Sequence, residues 1–381
     1  MNRPRIPQRS LLRRLRRSLP EPIRALLRRI RARAFNSGVS MLVRLATLLG
    51  ARRDRTYEDR LAGEKSTFDN QVEVHELPAI YHYWSNRYLR PELERFGYSG
   101  PTDFFHKELL ATAEQVQGPC RFISIGAGNC DVEVALAAQL RLTGLRDFSI
   151  ACTDINPTML ERGKALAAIS NVSGHVIFQC EDINDWRPQT TYHAVIANQS
   201  LHHVLELEHL FDAIRDAIGI EGVFLASDII GRNGHMRWPE ALEIVQEFWQ
   251  QLPKRKRFNL QLERYEKKFL DWDCSSEAFE GIRAQDILPL LIERFNFEFF
   301  FGYANVVDPF IDRSFGHHSD PSQAEDLEFI DRVHARDDEE IRAGRIKPTH
   351  MLAKMSQRLH VESRYRDDMA PVFCMRDPSL N

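Results

Sequence analysis

Short runs of β-branched and apolar residues alternate, between residues 120 and 230, with stretches in which apolar residues recur every three or four positions. The short runs are CRFISI, FSIACTD, VIFQC, AVIAN and VFLASDII, and the longer stretches include VEVALAAQL, PTMLERGKALAAI and LEHLFDAIRDAI. Runs that are apolar at most positions predict strands covered on both faces, whereas a period near 3.6 predicts amphipathic helices. The alternation predicts an α/β fold with a doubly wound, mostly parallel sheet and helices on both faces.

Helical patterns flank this core. Residues 60–118 predict a helical, aromatic-rich cap, and residues 231–281 predict a helical insert that holds three of the five tryptophans. Beyond the insert we expect a helix at 284–294, a strand at 297–303, a helix near 324–343 and a strand at 349–355. The core and the two late strands together predict a seven-stranded sheet, in a domain spanning 119–356 that is followed by a loose polar tail at 357–381.

The segment 1–59 is a separate, strongly basic arm. Leucines and isoleucines recur at helical spacing between residues 11 and 30, and residues 1–60 hold 17 arginines, no lysine and four acidic residues. Basic amphipathic helices of this kind bind anionic membrane surfaces, so we predict peripheral membrane contact through residues 1–35. A solvated tail, an arginine-rich transit peptide that is removed, and a start of translation at Met41 are the alternatives.

The body of the chain has the opposite charge. Residues 1–60 carry +13 and the remainder −16, which gives the formal net charge of −3. An acidic body does not suit binding along a nucleic-acid backbone, so we expect no nucleic-acid partner. No apolar run approaches the length that crosses a bilayer, and the six cysteines form no CxxC pair. We therefore predict a cytoplasmic protein without disulfides or a cysteine metal site.

The stretch ISIGAGN follows the first predicted strand. Gly126, Ala127 and Gly128 allow the backbone to turn tightly and to approach a ligand closely. Asp131 and Glu133 come next, at the helix start where a dinucleotide would place its pyrophosphate, and their carboxylates disfavour NAD or FAD. S-adenosylmethionine has no phosphate and carries a positive sulfonium, so the acidic surroundings favour it as the cofactor.

Polar residues also follow the next two strands. Asp154 comes 26 residues after the second glycine, and a carboxylate there is placed to accept both ribose hydroxyls. Its alternative role is to cap the helix that begins at Pro157, which Asn156 would do equally well. Asp182 and Ile183 follow the third strand, where they would reach the edge and the face of an adenine ring.

These motifs resemble those of the class I S-adenosylmethionine-dependent methyltransferases. The segment ISIGAGN is similar to the family's glycine loop, and TDINPTML is similar to its ribose-binding segment, here with Asp154 and Ile155. The segment CEDI is similar to the family's adenine contact. VIANQSLHHV is similar to its fourth strand, and IGIEGVFLASD is similar to the segment that enters its fifth strand. The resemblance implies a Rossmann-like fold, in which the strands at 297–303 and 349–355 are the antiparallel sixth and seventh.

Two positions depart from the family pattern. Ser124 stands where the family usually has an acid before the glycines, which leaves open how the methionine ammonium group is held. Cys130 stands where a third glycine is usual, and it predicts a more crowded loop. Asn198 closes the fourth strand, where its backbone and amide would meet the methionine part of the cofactor.

Methyl transfer is a displacement at a carbon that the sulfonium already activates, so the protein must align the acceptor, exclude water and, for a hydroxyl, remove a proton. His203, in the pair His202-His203, is the candidate base, and Asp228 at the end of the fifth strand is a second candidate base or acceptor ligand. Packing, solvation or helix capping are the alternative roles. The paired His317 and His318 do not make a spaced ligand motif, and we expect no metal site.

We predict a methyltransferase that uses S-adenosylmethionine and acts on a small molecule or glycan precursor, at oxygen. Asn198-Gln199-Ser200 lacks the proline–aromatic pattern of amino-methylating DNA enzymes. The aromatic and basic insert would suit a lid over sugars, phosphorylated groups or an aromatic ring, and packing within a helical subdomain is its alternative role. A polyamine-synthase-like enzyme and a non-catalytic scaffold are the alternative functions on the same fold.

Overall fold

The computed structural model describes residues 57, 58, 60, 61, 63, 65, 77–276 and 279–376. The basic arm before residue 57, with its predicted membrane contact, lies outside the described residues. Contacts divide the chain into two units, Met1–Tyr57 and Glu58–Asn381, and the fold described below belongs to the second. None of the described helices is both long and apolar enough to cross a membrane.

The strands of the described residues form one large sheet and one small hairpin. They are β1 (Cys120–Ile125), β2 (Phe148–Asp154), β3 (Val176–Cys180), β4 (Ala194–Asn198), β5 (Val223–Ile229), β6 (Phe258–Asn259), β7 (Arg264–Tyr265), β8 (Asn296–Tyr303), β9 (His350–Ser356) and β10 (Arg364–Tyr365). The large sheet is eight-stranded, in the order β10-β8-β9-β5-β4-β1-β2-β3, and β6 pairs with β7 in the hairpin. Strands β1 to β5 pair in parallel, whereas β9 is antiparallel to both β5 and β8.

The helices lie between the strands and in the flanking segments. They are α1 (Ala79–Trp84), α2 (Arg90–Glu94), α3 (Pro101–Glu114), α4 (Asp131–Leu142), α5 (Pro157–Ile169), α6 (Leu207–Ile218), α7 (Pro239–Gln251), α8 (Ala284–Arg294), α9 (Asp308–Ile311) and α10 (Ala324–Arg342). The predicted α/β fold with a doubly wound, mostly parallel sheet is confirmed. The late strand β9 is antiparallel to the rest as the family resemblance implied, but β8 is antiparallel only to β9 and so has the direction of β1 to β5, which makes the expected antiparallel sixth strand wrong.

The centre of the sheet is the core of the molecule. Phe122, Ile123 and Ile125 of β1, the apolar residues of β4 and those of β5 up to Ala226 are fully or almost fully buried, because helices cover both faces. Each fully buried side chain of this size stabilises the fold by about 1.5–3 kcal/mol. The strand order reverses between β1 and β4, and ligands of such sheets bind at the carboxyl ends of the strands beside this reversal.

Two segments differ from their predicted form. The sheet gains an eighth strand because Arg364 and Tyr365, in the tail predicted to be loose, pair in parallel with Phe299 and Phe300 of β8. Among its described residues the insert is helical only in α7 and in short 3₁₀ turns, and the others include the hairpin β6–β7 and irregular backbone. Pro253 follows Leu252, the C-cap residue of α7, and makes continuation of that helix unfavourable.

Candidate active site

The loop after β1 turns tightly and is closely covered by its neighbours. Gly126 and Gly128 have φ values of 67° and 55°, left-handed values that favour glycine. A Cβ at Gly126 would lie 2.6 Å from the Cβ of Ser200, so no side chain fits there. Between the glycines, the N–H of Ala127 donates to the carbonyl of Thr153 at 2.9 Å, which ties the loop to the end of β2.

Asp154 links the glycine loop to the turn after β2. Its Oδ2 accepts from the N–H of Gly128 and its Oδ1 from the N–H of Asn156, both at 2.8 Å. The cap of α5 is formed by Asn156, whose side chain accepts from the N–H groups of Thr158 and Met159. Each carboxylate oxygen can accept more than one hydrogen bond. The half-buried Asp154 therefore suits a ligand hydroxyl while it holds the loop.

The turn after β3 places an apolar side chain beside the glycine loop. The Oδ1 of Asp182 accepts from the backbone N–H of Asn184 at 2.9 Å and so begins a 3₁₀ turn. Ile183 is only 8% exposed, and its Cδ1 lies 3.8 Å from the position that a Cβ on Gly126 would take. An apolar face next to a polar edge fits a flat heteroaromatic ring such as adenine.

Asp228 organises the turn after β4. It is fully buried, and its Oδ2 accepts from the N–H groups of Ser200 and Leu201, both at 2.8 Å. Its Oδ1 accepts from the N–H of Ile229 at 2.8 Å and lies 2.7 Å from Nδ1 of His202. Asp228 thus fixes both the backbone of this turn and the ring of His202.

Three imidazoles surround the carboxylate of Glu280. Nε2 of His235 lies 2.6 Å from Oε1, Nε2 of His202 lies 3.5 Å from Oε1, and Nε2 of His203 lies 3.6 Å from Oε2. The ring centroid of His202 is 4.3 Å from that of His203 and 5.1 Å from that of His235. We call these four residues the histidine–glutamate cluster. It brings the sequence-predicted His203 and Asp228 together through His202.

Burial and neighbouring charges shift the pKa values of residues in the cluster. Burial raises the pKa of Glu280, but the imidazoles around it outweigh burial and hold that pKa well below its usual range. Burial lowers the pKa of His202, but the carboxylates of Asp228 and Glu280 on either side outweigh it and raise that pKa. For His235, burial prevails and the pKa is lowered. The carboxylates of Asp228 and Glu280 therefore favour a positive charge between them.

Sequence reasoning missed His235 and Glu280, which come from the two ends of the insert. Gly234, His235 and Gly281 all have positive φ, and the N–H of Gly234 donates to the carbonyl of Gly281 at 2.8 Å. The N–H of Ile282 donates to the carbonyl of His202 at 3.1 Å, so the insert closes onto the turn after β4. The two glycines were the only local signals in the sequence, and they mark turns without showing that the turns meet.

A second polar group continues the same edge of the sheet. In the antiparallel register of β9, His350 pairs with Ile229 at the end of β5 and with Tyr303 at the end of β8. The rings of Tyr303 and His350 stack with centroids 5.4 Å apart. Oδ2 of Asp308 lies 3.2 Å from Nε2 of His350 and 3.1 Å from a guanidinium nitrogen of Arg237. This edge is therefore polar and aromatic well beyond the cluster.

The remaining sequence-predicted residues lie apart or are half-buried at strand ends. Asn198 pairs with Ser227 at the end of β4 and is half-buried, as is Ile155 after β2. His318 contacts the carbonyl of Phe258 in the hairpin at 2.6 Å, and His317 is exposed. All six cysteines are free thiols.

Comparison with known proteins identifies the central part of the chain. Residues 122–222 match a family model described as a methyltransferase domain. This range begins in β1 and ends just before β5, so it contains the glycine loop, Asp154, the turn after β3 and His202. No curated protein matches the chain in sequence.

Several solved structures are similar to the chain at low sequence identity and low TM-score. An O-methyltransferase from a trans-AT polyketide synthase of Brevibacillus brevis, in complex with S-adenosyl-L-homocysteine, is 13% identical over 76% of this chain and 86% of its own, with a TM-score of 0.41. A putative sarcosine dimethylglycine methyltransferase from Galdieria sulphuraria is 15% identical over 68% and 85%, with a TM-score of 0.39. A geranyl diphosphate methyltransferase in complex with GPP and sinefungin is 12% identical over 66% and 77%, with a TM-score of 0.38. Similarities this low carry no argument about the acceptor.

Proposed function

We propose, on the premise that the chain belongs to the class I S-adenosylmethionine-dependent methyltransferases, that its acceptor is a hydroxyl group of a small molecule or glycan precursor. The observation that carries this proposal is the histidine–glutamate cluster at the carboxyl ends of β4 and β5. Imidazole and carboxylate groups hydrogen bond to a hydroxyl and accept its proton, which an oxygen nucleophile requires.

We assign the cofactor to the loops after β1, β2 and β3. Gly126, Ala127 and Gly128 would pass closest to it, because a side chain at Gly126 has no space. Asp154 would accept the ribose hydroxyls, with Ile155 beside it. The next turn and β4 would supply the adenine and methionine contacts, through Asp182, Ile183 and Asn198.

When bound, S-adenosylmethionine supplies a methyl carbon whose bond to the sulfonium breaks as the bond to the acceptor oxygen forms, and the electron pair returns to sulfur. His203 accepts the acceptor's proton at Nε2. Asp228 acts as a positioning residue, because it is fully buried and both of its oxygens already accept hydrogen bonds from the backbone or contact His202.

The acceptor would extend along the edge toward β9 and β8. His350 and Tyr303 are half-buried there and stack on each other, and Asp308 and Arg237 lie beside them. Such a surface binds a flat or polyhydroxylated molecule through ring contacts and hydrogen bonds. The ends of the insert, which carry His235 and Glu280, border the same space.

Methyl transfer from labelled S-adenosylmethionine into small-molecule extracts tests the acceptor proposal, with the product's methylated atom identified by mass spectrometry and NMR. We expect methyl ethers, and His203→Ala should lower kcat by about 10²–10⁴-fold without changing affinity for S-adenosylhomocysteine. Asp154→Ala should weaken that affinity by about 10–100-fold, since it removes hydrogen bonds to a charged group. His317→Ala, which changes an exposed histidine, is the control. Methylation at nitrogen or carbon alone would contradict an oxygen acceptor.

A further inference from the structure

We propose that His202, His235 and Glu280 bind a divalent transition-metal ion, and that this ion binds the hydroxyl oxygen of the acceptor. The metal site stands on the geometry of the three side chains alone. Its role toward the acceptor rests on the proposed function.

The three side chains converge as metal ligands do. One donor atom from each lies within 4.8 Å of the others. Nε2 of His202 is 3.5 Å from Oε1 of Glu280. Ligand atoms around a tetrahedral zinc ion, at bond lengths of about 2.1 Å, are separated by about 3.4 Å. Nε2 of His235 is closer, at 2.6 Å from Oε1, so an ion would need a shift of about 1 Å between these two side chains.

His202 has the support that metal-bound histidines usually have. The carboxylate of Asp228 lies 2.7 Å from its Nδ1, which leaves Nε2 directed toward Glu280. Asp228 is itself held by the backbone N–H groups of Ser200 and Leu201. A carboxylate behind the imidazole fixes the ring and its tautomer and strengthens the opposite nitrogen as a ligand.

His235 is held at a cost that a ligand role explains. Its φ is 54°, a left-handed value that is unfavourable for a residue with a side chain. Its Nδ1 is buried and finds no hydrogen-bond partner among the residues that the structure describes. Both features are unfavourable, and the ring nevertheless directs Nε2 toward Glu280. A metal bond at Nε2 would offset them.

The ligand set indicates which ion is bound. Two imidazoles and a carboxylate favour Zn²⁺, Fe²⁺ or Mn²⁺ over Mg²⁺ or Ca²⁺, which prefer oxygen ligands. Two carboxylates flank His202, that of Glu280 within the cluster and that of Asp228 behind the ring, and a dication would balance their charge. Three protein ligands leave a coordination position open, as in catalytic sites. A hydroxyl bound there would lose its proton more readily, and His203, 3.6 Å from Glu280, would accept it.

Calorimetry with Zn²⁺ on the full chain, after removal of metals by chelation, tests the site. We expect one Zn²⁺ per chain, no comparable binding of Mg²⁺, and a loss of Zn²⁺ affinity of at least about 100-fold in His235→Ala and Glu280→Gln. Asp228→Asn should weaken Zn²⁺ binding by about 10–100-fold through loss of support to His202. Cys130→Ala, which alters the other group of potential ligands formed by Cys130, Glu133 and Cys152, should bind Zn²⁺ like the wild type.

Two further measurements separate the possible failures. Binding of S-adenosylhomocysteine by every variant shows that the domain is folded and the cofactor site intact. Zn²⁺ should raise the melting temperature of the wild type but not that of Glu280→Gln. A wild-type chain that transfers methyl groups but takes up no Zn²⁺ would overturn the metal site and leave the proposed function standing. Zn²⁺ binding that survives in both His235→Ala and Glu280→Gln would also overturn it.

Discussion

At the scale of single residues, Glu133 is buried in the structure, whereas the sequence predicted that it would lie beside the cofactor. The sequence places it with Asp131 at the start of a helix, beside the bound cofactor. In the structure Asp131 is exposed, whereas Glu133 is 2% exposed and accepts a hydrogen bond from the hydroxyl of Ser124 at 2.6 Å. Ser124 replaces the acid that the family usually has in β1, and an acid from α4 now lies against it.

Burial gives Glu133 a pH-dependent effect on stability. Burial raises its pKa to about 7, from an ordinary value of 4.5. Between these two values the folded chain retains a proton that the unfolded chain has released, so this group makes the protein less stable as pH rises through that window. Above pH 7 the full cost, about 3 kcal/mol, is present.

Glu133→Gln should remove this dependence, because glutamine cannot ionise. Relative to the wild type, the free energy of unfolding of the variant should rise by about 2.5 kcal/mol between pH 5 and pH 8, as measured by denaturant unfolding at both values. Glu161→Gln, on the exposed side of α5, is the control and should follow the wild type. If the free energy of unfolding changed with pH in the same way in Glu133→Gln and in the wild type, ionisation of Glu133 would not destabilise the fold.

At the scale of elements, α4 and α5 approach closely because a small residue, Gly163, lies in α5 opposite Cys130 in the loop before α4. Cys130 has a φ of 59° and occupies the position where the family usually has a third glycine. The crowding expected from it falls on Gly163 of α5, where a Cβ would lie 2.9 Å from the Cys130 Sγ and 3.0 Å from an edge carbon of the Phe178 ring. The small residue is thus in the helix and the larger one in the loop.

Gly163→Ala should therefore destabilise the fold by about 1–3 kcal/mol through overpacking, although alanine is the better helix former. Adding Cys130→Gly should recover part of this loss, because the contact with Phe178 remains. Denaturant unfolding of the two single variants and the double variant gives the coupling free energy. Gly174→Ala, whose Cβ meets nothing within 4 Å, is the control. Additive effects of the two substitutions on the free energy of unfolding would contradict a steric coupling between positions 130 and 163.

The strands and the glycine loop could be predicted because their signals are local. Strands β1 to β5 are short apolar runs, and Gly126, Gly128 and Asp154 follow them at short spacing. The histidine–glutamate cluster could not be predicted in full, because His235 and Glu280 meet only when the insert closes. The hairpin was missed for a similar reason: Trp249 of α7 packs against Phe269 and Phe315, distant in sequence, and such contacts override local helical patterns.

At the scale of the whole molecule, the tail after β9 is part of the folded body. Arg366 lies with its guanidinium 5.2 Å from the ring centroid of Phe301 and forms an ion pair with Asp338 of α10. Met369 and Cys374 are 5% and 3% exposed. The sequence predicted a loose tail here because its residues are mostly polar, but the few apolar ones reach the core.

A chain that ends after residue 362 should consequently be less stable than the full chain. Burial of the Met369 side chain alone contributes about 1.5–3 kcal/mol, and the truncated chain also loses Arg366 and the strand β10. Thermal and denaturant unfolding should both show the loss. A chain that ends at Arg376 retains every one of these contacts and is the control. Equal stability of the two shortened chains would mean that the contacts of the tail do not contribute to the free energy of unfolding.

Removal of the tail should also change how the molecules behave toward one another. Arg364 and Tyr365 pair with β8, whose sequence NFEFFFGY includes four phenylalanines. Without them β8 becomes the open border of the sheet, with unpaired N–H and C=O groups along an apolar strand, and such borders recruit strands from other molecules. Light scattering that grows with protein concentration, at temperatures where the truncated chain is still folded, would reveal this recruitment. Two residues of backbone pairing would then be what keeps copies of this chain from joining edge to edge.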